Sequence, residues 1–416
     1  MQKQLISKIN FPSRYFSSLL HSSILSPLKF DKNDNENREK EVNKGYQFGI
    51  SKQIESTKPT QKTQELAQSV IEGKRYSLSK AITLTESERI DHQIQASHLL
   101  SIILNKRNEK ILNRKKISSN QHFSSSVNRS DLMFNSNSFR VGITGPPGAG
   151  KSTFIEALGV HLCNLGFRVA VLPVDPSSKL SGGSILGDRT RMEELSRQPN
   201  AYIRPAPSNN IVGGVSLHTF DAIHLCESAG YEIILVETVG VGQSEVAVGD
   251  LTDFFLLLLP PGGGDQLQGI KKGVVELVDL VVINKCDGDL VSAAKRIQRD
   301  YQNALHLLRP KSLNWIPEVL LCSSFDENSV AKVWETAMKF RSNLIKSGEF
   351  ESKRKDQRKI ELWTQINQLI IQNLKERKNV RNLLRNLDNL VSDGILSTRE
   401  ASFKILDSFF EDVKKN

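Results

Sequence analysis

A glycine-rich loop between an apolar segment and an amphipathic segment constrains the fold of this 416-residue chain more than any other feature. Residues 145–152 read GPPGAGKS and match the pattern G-x-x-x-x-G-K-S. The segment before the loop, 141–144, is short and mostly apolar, as a buried parallel strand should be, and residues 154–165 have helical spacing. In this context the pattern predicts a phosphate-binding loop, because backbone N–H groups and the helix N-terminus favour anions there.

The residues of this loop have separate predicted roles. The glycines allow the backbone to curl so that successive N–H groups point at phosphate oxygens. Lys151 is expected to contact the β- and γ-phosphates, and the Ser152 hydroxyl is expected to bind Mg²⁺. The residues predicted to contact the nucleotide in this loop are Gly145, Pro146, Pro147, Gly148, Ala149, Gly150, Lys151, Ser152 and Thr153.

Apolar runs alternate with amphipathic segments in the part of the chain that follows the loop. These runs are continuous rather than alternating, which is typical of parallel strands buried on both faces. We therefore predict an α/β fold with a mainly parallel sheet and helices on both faces. The loops that follow such strands meet at one edge of the sheet. The predicted strands are 168–174, 231–236, 254–259, 280–283 and 319–321.

Asn284, Lys285 and Asp287 form the pattern N-K-x-D directly after a predicted strand. The carboxylate of Asp287 can accept hydrogen bonds from the ring N–H and the exocyclic amine that only guanine presents together. Adenine would leave this carboxylate unpaired, so the pattern indicates GTP rather than ATP. Ser323, Ser324 and Phe325 follow the next predicted strand, where GTPases usually carry Ser-Ala. Serine in place of alanine changes little volume, so we expect the preference for guanine to be retained.

A third segment, Glu237-Thr238-Val239-Gly240, occupies the position of the D-x-x-G motif below the γ-phosphate. Gly240 can bring its N–H close to that phosphate, and Glu237 is expected to hold Mg²⁺ directly or through water. Val241 stands where Ras-type enzymes place a glutamine that orients water. We therefore expect slow intrinsic hydrolysis, with Lys151, Glu237, Gly240 and Lys271 as the catalytic set.

Two aspartates and one further loop are also expected at the edge of the sheet where the glycine-rich loop lies. Asp175 ends a predicted strand and Asp188 lies in the glycine-rich segment SGGSILGDRTRM. Each could face Mg²⁺ or cap a turn or the following helix, and spacing alone leaves both open. The loop at 260–272 follows another predicted strand, so Lys271 could approach developing negative charge. The alternative for this loop is a helix cap with surface lysines.

Composition divides the rest of the chain. Residues 1–62 are predicted to be a mitochondrial presequence and a disordered segment, because residues 1–30 are basic, rich in serine and free of acidic residues. A disordered basic tail is the alternative. Helical spacing predicts an N-terminal helical extension at 63–112, with a capping box at Thr85–Glu88. Then follow a Ser/Asn-rich linker at 113–138, a GTPase core at 139–346, and C-terminal helices at 347–416 with a capping box at Ser397–Glu400.

Several partner classes are not expected. The net charge is +10, but neither base-reading residues nor aromatic platforms accompany it, so we expect no nucleic acid. The sequence contains no run of 18 apolar residues, so we expect no membrane span. The four cysteines are far apart, which is typical of a reducing compartment rather than of a metal or disulfide framework.

Taken together, the motifs resemble those of the methylmalonic aciduria type A protein group, whose bacterial members are called MeaB. The segments that carry the resemblance are GPPGAGKST, VDPSSKLSGGSILGDRTRM, RPAPSNNIVGGVS, VETVGVGQSE, GGGDQLQGIKKG and NKCD. The resemblance implies a Mg²⁺-dependent GTPase chaperone of methylmalonyl-CoA mutase in the mitochondrial matrix. Such a protein gates adenosylcobalamin loading and protects the mutase. GTP is then the substrate and Mg²⁺ the cofactor, and no stably bound cobalamin is expected.

The resemblance also assigns residues by position. It implies that Ser152, Asp175, Asp188 and Glu237 form the magnesium set. It further implies a switch loop at 262–272, in which Asp265, Gln268 and Lys271 relay partner binding to the nucleotide; Gln266 stands there where an acidic residue is common. The family is homodimeric through its C-terminal helices. From the residues alone, the apolar faces of these helices could pack on their own core or on a second subunit.

Two other functions use the same phosphate chemistry. A P-loop kinase or transport ATPase is disfavoured by N-K-x-D and by the lack of an evident acceptor-binding lid. A metal-insertion GTPase of the same superfamily often carries a Cys or His metal relay, and here the cysteines are dispersed and the eight histidines form no obvious cluster.

Overall fold

The structure is a computed structural model of the chain. It describes residues 54, 56–87, 89–118, 138–175, 192–204, 206–207, 217–238, 244–262, 272–308 and 311–415. The strands are β1 (Phe139–Thr144), β2 (Val169–Asp175), β3 (Ala201–Ile203), β4 (Ala206–Pro207), β5 (Ile233–Thr238), β6 (Phe254–Leu259), β7 (Leu280–Ile283) and β8 (Glu318–Leu321).

The helices, again in chain order, surround these strands and extend beyond them at both ends of the chain. They are α1 (Gln61–Ile71), α2 (Arg75–Thr85), α3 (Ile90–Ser118), α4 (Lys151–Asn164), α5 (Glu193–Arg197), α6 (Leu217–Ser228), α7 (Ser244–Leu251), α8 (Lys272–Val275), α9 (Val291–His306), α10 (Glu327–Ser347), α11 (Glu349–Glu376), α12 (Lys378–Ser392) and α13 (Thr398–Lys415). Among the described residues, no helix is both long enough and apolar enough to cross a membrane.

The strands form one sheet in the order β3-β2-β5-β1-β6-β7-β8, with β4 also paired to β2. Every pairing is parallel, which confirms the predicted sheet. The sequence pattern did not reveal β3 and β4, because strands of three and two residues produce no apolar run. Since all strands point the same way, the carboxyl ends of β1, β2, β5, β6, β7 and β8 lie at one edge, here called the nucleotide edge.

The two faces of the sheet bury alternate residues of each strand against helices. In β6, for example, Phe255 and Leu257 belong to the apolar core on one side, whereas Phe254 and Leu256 belong to the core on the other. The first core includes residues of α6, α7 and α9, and the second includes residues of α4 and α10. This arrangement confirms the prediction of helices on both faces, which was based on the continuous apolar runs of the strands.

The N-terminal helices are part of the first of these cores. Val70 of α1, Leu78 of α2 and Leu99 of α3 are fully buried, and they pack into the same cluster as sheet residues. The capping box expected at Thr85–Glu88 is wrong at its first residue, because Thr85 ends α2 and its hydroxyl bonds the Ile82 carbonyl. Helix α3 also continues to Ser118, six residues into the segment interpreted as a linker.

The C-terminal helices bury two of their apolar faces within the chain. Leu387 of α12 and Phe409 of α13 are each 6% exposed, and α12 packs against α13. At the start of α13 the Ser397 hydroxyl accepts a hydrogen bond from the Glu400 N–H, which is the N-cap half of the predicted capping box. The face of α11 that carries Leu362 and Ile370 remains exposed.

Candidate functional site

The glycine-rich loop joins β1 to α4 at the nucleotide edge. Gly150 precedes α4 in the left-handed conformation with φ of 85°, and Lys151 is the first helical residue. The Lys151 ammonium donates to the carbonyl oxygens of Gly145, at 2.7 Å, and of Pro146, at 3.2 Å. The loop therefore curls back over the lysine at the N-terminus of a helix, which is the place where anions bind favourably.

Three glycines of the loop are required for different reasons. A Cβ on Gly145 would lie 2.1 Å from the Leu258 carbonyl oxygen of β6. A Cβ on Gly150 would lie 2.7 Å from the Asn284 amide nitrogen. Gly148 has φ of 80°, yet no described atom lies within 4 Å of a Cβ built there. Gly145 and Gly150 thus permit close contacts inside the protein. Gly148 has free space around it, and its positive φ is the reason for a glycine there.

A buried amide connects the loop after β7 to the glycine-rich loop. Asn284 is 1% exposed, and its Nδ2 donates to the Ala149 carbonyl at 3.0 Å. The Ser324 hydroxyl, from the loop after β8, donates to Asn284 Oδ1 at 2.9 Å. Lys285 follows with φ of 56°, a left-handed conformation that is uncommon outside glycine. The three loops that carry the predicted phosphate and base contacts are therefore tied together.

Asp287 is exposed beside these loops and receives a hydrogen bond from the Ser323 hydroxyl to its Oδ2. That hydroxyl also accepts from the Phe325 N–H at 3.3 Å. The Phe325 ring is 87% exposed, so its position is not explained by burial in the core. A carboxylate with one oxygen oriented by a neighbouring hydroxyl can recognise a base, and an exposed ring such as that of Phe325 can cover one.

The thiols beside this loop are protonated. Burial raises the pKa of Cys286 above its usual value and raises that of Cys322 to about 11. Neither is therefore a thiolate nucleophile at neutral pH.

Ser152 and Glu237 bring two oxygen donors together below the glycine-rich loop. The Ser152 hydroxyl donates to Glu237 Oε1 at 3.2 Å, and Glu237 is 5% exposed at the end of β5. A hydroxyl and a carboxylate are ligands that Mg²⁺ accepts. The residues present therefore fit this ion. Among the described residues, no group of three or more His, Cys, Asp or Glu side chains could hold a metal by themselves.

The remaining predicted site residues are only partly placed. Asp175 is the last residue of β2, and its backbone pairs with Pro207 of β4. Asp188, Gly240, Asp265, Gln268 and Lys271 lie outside the described residues.

Sequence reasoning missed the contacts that hold the site together. The amide bridge from Asn284 to Ala149 and the buried hydroxyl pair of Thr144 and Thr238, 2.9 Å apart, join loops or strands that are far apart in sequence. A polar residue at the end of each buried strand is the signal that could have indicated them.

Comparison with known proteins identifies the family. A family model described as "Methylmalonyl Co-A mutase-associated GTPase MeaB" matches residues 114–379. The chain belongs to this MeaB family. It is 45% identical over 340 residues to the mouse "Methylmalonic aciduria type A homolog, mitochondrial", which covers 82% of this chain and 78% of the mouse protein. It is 39% identical over 328 residues to the Escherichia coli "GTPase ArgK", covering 79% of this chain and 91% of that protein.

A solved structure shares the fold. The chain aligns with a protein described as "LAO/AO transport system kinase" with a TM-score of 0.60 and 32% sequence identity, covering 86% of this chain and all of the other. Together with MeaB relatives named as GTPases, this fold makes the chain a P-loop GTPase that binds and hydrolyses GTP.

Proposed function

We propose that this MeaB-family GTPase is a chaperone of methylmalonyl-CoA mutase that gates adenosylcobalamin loading and protects the mutase. The observation that carries the proposal is the match of residues 114–379 to a family whose description names a mutase-associated GTPase. The name of the mouse relative, which refers to methylmalonic aciduria, supports it.

The proposed nucleotide contacts follow the geometry of the loops. Lys151 exchanges its two carbonyl partners for phosphate oxygens, which are stronger acceptors because they are charged. Asn284 and Lys285 support the loop after β7, here called the base loop, and Asp287 accepts from the two guanine donors. Ser323, Ser324 and Phe325 lie along the other side of the base.

Ser152 and Glu237 are proposed to hold Mg²⁺, with Asp175 and Asp188 completing the set. The ion would neutralise charge on the phosphates. Gly240 is proposed to donate its N–H near the γ-phosphate. Because Val241 cannot orient water, intrinsic hydrolysis should be slow until a partner orders the site.

The switch loop is proposed to supply that order. Asp265, Gln268 and Lys271 belong to a glycine-rich segment that follows β6 in the chain, and β6 itself ends at the nucleotide edge. A loop that must become ordered pays a conformational entropy cost, and a partner that binds the ordered form offsets it. By linkage, the nucleotide state then changes the affinity for the partner by the same factor.

The decisive experiment combines co-purification with kinetics. The full chain is incubated with methylmalonyl-CoA mutase in the presence of GDP, GTP or a non-hydrolysable GTP analogue. We expect a complex whose amount depends on the nucleotide, together with faster single-turnover hydrolysis when the mutase is present. If neither a complex nor any acceleration is found, the chaperone proposal is rejected, whereas the assignment of the chain as a GTPase still stands.

The switch loop can be tested in the same assay. Lys271→Ala should remove most of the acceleration by the mutase, because the charge that approaches the γ-phosphate is gone. Lys355→Ala, at an exposed lysine of α11, is the matched control and should be accelerated as strongly as the wild type. Full acceleration of Lys271→Ala would place the gating element elsewhere.

A mitochondrial location is proposed from the names of the mouse and Caenorhabditis elegans relatives, and the matrix is the compartment in which the mutase would be met. Fractionation of organelles tests it. The second candidate is a kinase, which the name of the structural relative favours. It predicts transfer of the γ-phosphate to an acceptor, whereas the GTPase releases free phosphate.

A further inference from the structure

We propose that the Ser324 hydroxyl is a positioning group that fixes the Asn284 amide and thereby slows nucleotide release. This inference rests on the proposed nucleotide contacts of the loop after β7. The usual residue at this place in GTPases is alanine, which has no hydroxyl, so the contact is a property of this chain. Volume alone predicts no effect from the serine, whereas its hydrogen bond gives it a function.

The orientation of the Asn284 side chain is set by what lies on its two sides. An amide has a donor end and an acceptor end, and they are not interchangeable. The Ala149 carbonyl is an acceptor, so the Nδ2 must face the glycine-rich loop, and it does so at 3.0 Å. The Oδ1 then faces the loop after β8, where the Ser324 hydroxyl donates to it at 2.9 Å. The two contacts specify the same orientation.

Neighbouring groups do not replace this donor. Asn284 is 1% exposed and Ala149 is fully buried, so bulk solvent does not reach the amide freely. The hydroxyl of Ser323 donates to Asp287, and its single proton is therefore already used. With alanine at 324, the carbonyl oxygen of the amide would lose its partner among the described residues, and a buried unpaired acceptor is unfavourable.

The consequence reaches the nucleotide through two loops. Asn284 is the first residue of N-K-x-D, so its side chain links the base loop to the backbone of the glycine-rich loop at Ala149. If the amide loses its fixed orientation, the two loops hold base and phosphate less firmly at the same time. Nucleotide dissociation then becomes faster, because interactions lost in the bound state appear mainly in the off-rate.

The test measures release of fluorescently labelled GDP from the full chain by stopped flow. We expect Ser324→Ala to raise the dissociation rate about tenfold, which corresponds to about 1.4 kcal/mol. Ser324→Thr keeps the hydroxyl, so its dissociation rate should stay within about twofold of the wild-type rate. Ser347→Ala is the matched control, because its hydroxyl bonds the Leu344 carbonyl in α10, away from the nucleotide edge.

A second arm tests whether Ser324 acts through Asn284. In an Asn284→Ala background, adding Ser324→Ala should change the dissociation rate no further, since the group that it positions is gone. Unchanged release in Ser324→Ala, no restoration by threonine, or additive effects in the double variant would each overturn the inference. If Asn284→Ala itself left release unchanged, the proposed base site would fail as well. The alanine and threonine pair decides the matter alone where the asparagine variant does not fold.

Discussion

At the scale of single residues, Asp287 has one oxygen oriented within the protein while the residue as a whole is exposed. The Ser323 hydroxyl, 6% exposed as a residue, donates to Oδ2 and so limits rotation of the carboxylate. A carboxylate prepared in this way loses little freedom when it accepts hydrogen bonds from a base. The proposed preference for guanine therefore depends on the charge of one side chain.

We expect Asp287→Asn to weaken GTP binding by about 1.5–3 kcal/mol, because hydrogen bonds to a charged acceptor are lost. An amide cannot accept from both guanine donors, but it can pair with xanthine, which has a carbonyl in place of the amine. Titration with GTP and xanthosine triphosphate measures both changes. Asp289→Asn, at an exposed position two residues further on, is the control and should bind GTP as the wild type does. Unchanged GTP affinity in Asp287→Asn would contradict the assignment of the base.

At the scale of elements, α6 connects the nucleotide edge to the opposite edge of the sheet. It faces α11 with three ionisable side chains. These side chains are Asp221, His224 and Glu227. His224 Nε2 lies 3.0 Å from Glu361 Oε2 of α11, and His224 Nδ1 lies 3.6 Å from Glu227 Oε2. Burial lowers the pKa of His224, but hydrogen bonds to Glu227 and Glu361 raise it above its usual value. Burial raises the pKa of Asp221 to about 7, against the lowering effect of His224.

We expect Asp221→Asn to make the protein relatively more stable than the wild type as the pH rises. The folded pKa of Asp221 is about 7, above its ordinary value of 3.8, so its contribution to stability is present below 3.8 and is lost as the pH rises through about 7. Asparagine has no such loss. The difference in unfolding free energy, from urea titrations at several pH values, should grow by roughly 4 kcal/mol in favour of the variant and then level off above about pH 7. His224 and Glu361 face Asp221 and remain in both proteins. A difference that does not change with pH would show that Asp221 ionises normally.

Element by element, prediction from sequence succeeded where the signal was local. The buried strands and the Ser397 cap were visible because each is a run or a spacing within a few residues. Thr85 failed as a cap because the same residue type also ends helices by bonding a carbonyl, as it does to Ile82. The bridge from Ser324 to Asn284 could not be predicted, since it depends on how two loops from different strands approach each other.

At the scale of the whole molecule, exposed apolar residues of α11 make a candidate contact between subunits. Trp363 is 49% exposed and Ile370 is 44% exposed. By contrast, Phe409 is 6% exposed and lies under the Arg377 guanidinium, 4.9 Å from the ring centroid, so its face is covered within the chain. We propose that the homodimer implied by the family resemblance uses α11 rather than the covered face of α13.

We expect the wild-type chain to have the mass of a dimer, and we expect Trp363→Glu combined with Ile370→Glu to shift it toward monomer, because charges are costly in an apolar interface. Light scattering measures the mass. Leu313→Glu, at a leucine that is 99% exposed outside the C-terminal helices, should leave the mass unchanged. A double variant that keeps the mass of a dimer would show that this face is simply solvated.

At the edge of the sheet opposite the nucleotide edge, one carboxylate contacts three parts of the chain. Glu227 of α6 contacts Arg107 of α3 at 2.5 Å, Arg140 of β1 at 2.8 Å and Arg354 of α11 at 3.1 Å. Arg354 also contacts Asp253, before β6, at 2.5 Å. The Glu227 side chain is only 1% exposed, so its charge is compensated by these arginines rather than by water. The N-terminal helices, the sheet and the C-terminal helices thus meet at a single ionised group.

We expect Glu227→Gln to lower the unfolding free energy at neutral pH by about 3–5 kcal/mol, because it removes the negative charge that compensates the arginines around it. Burial raises the pKa of Glu227, but the three arginines lower it by more, so that it ends well below 4.5. The stabilisation is therefore present above pH 4.5 and is lost as the pH falls through the folded pKa. Urea titrations should show the gap between wild type and variant narrowing in acid. Glu318→Gln, at an exposed glutamate of β8, should show neither effect. If Glu227→Gln unfolds at the same urea concentration as the wild type at neutral pH, other partners compensate the charges of the arginines. The contacts of Glu227 with the three parts of the chain would then contribute nothing to stability.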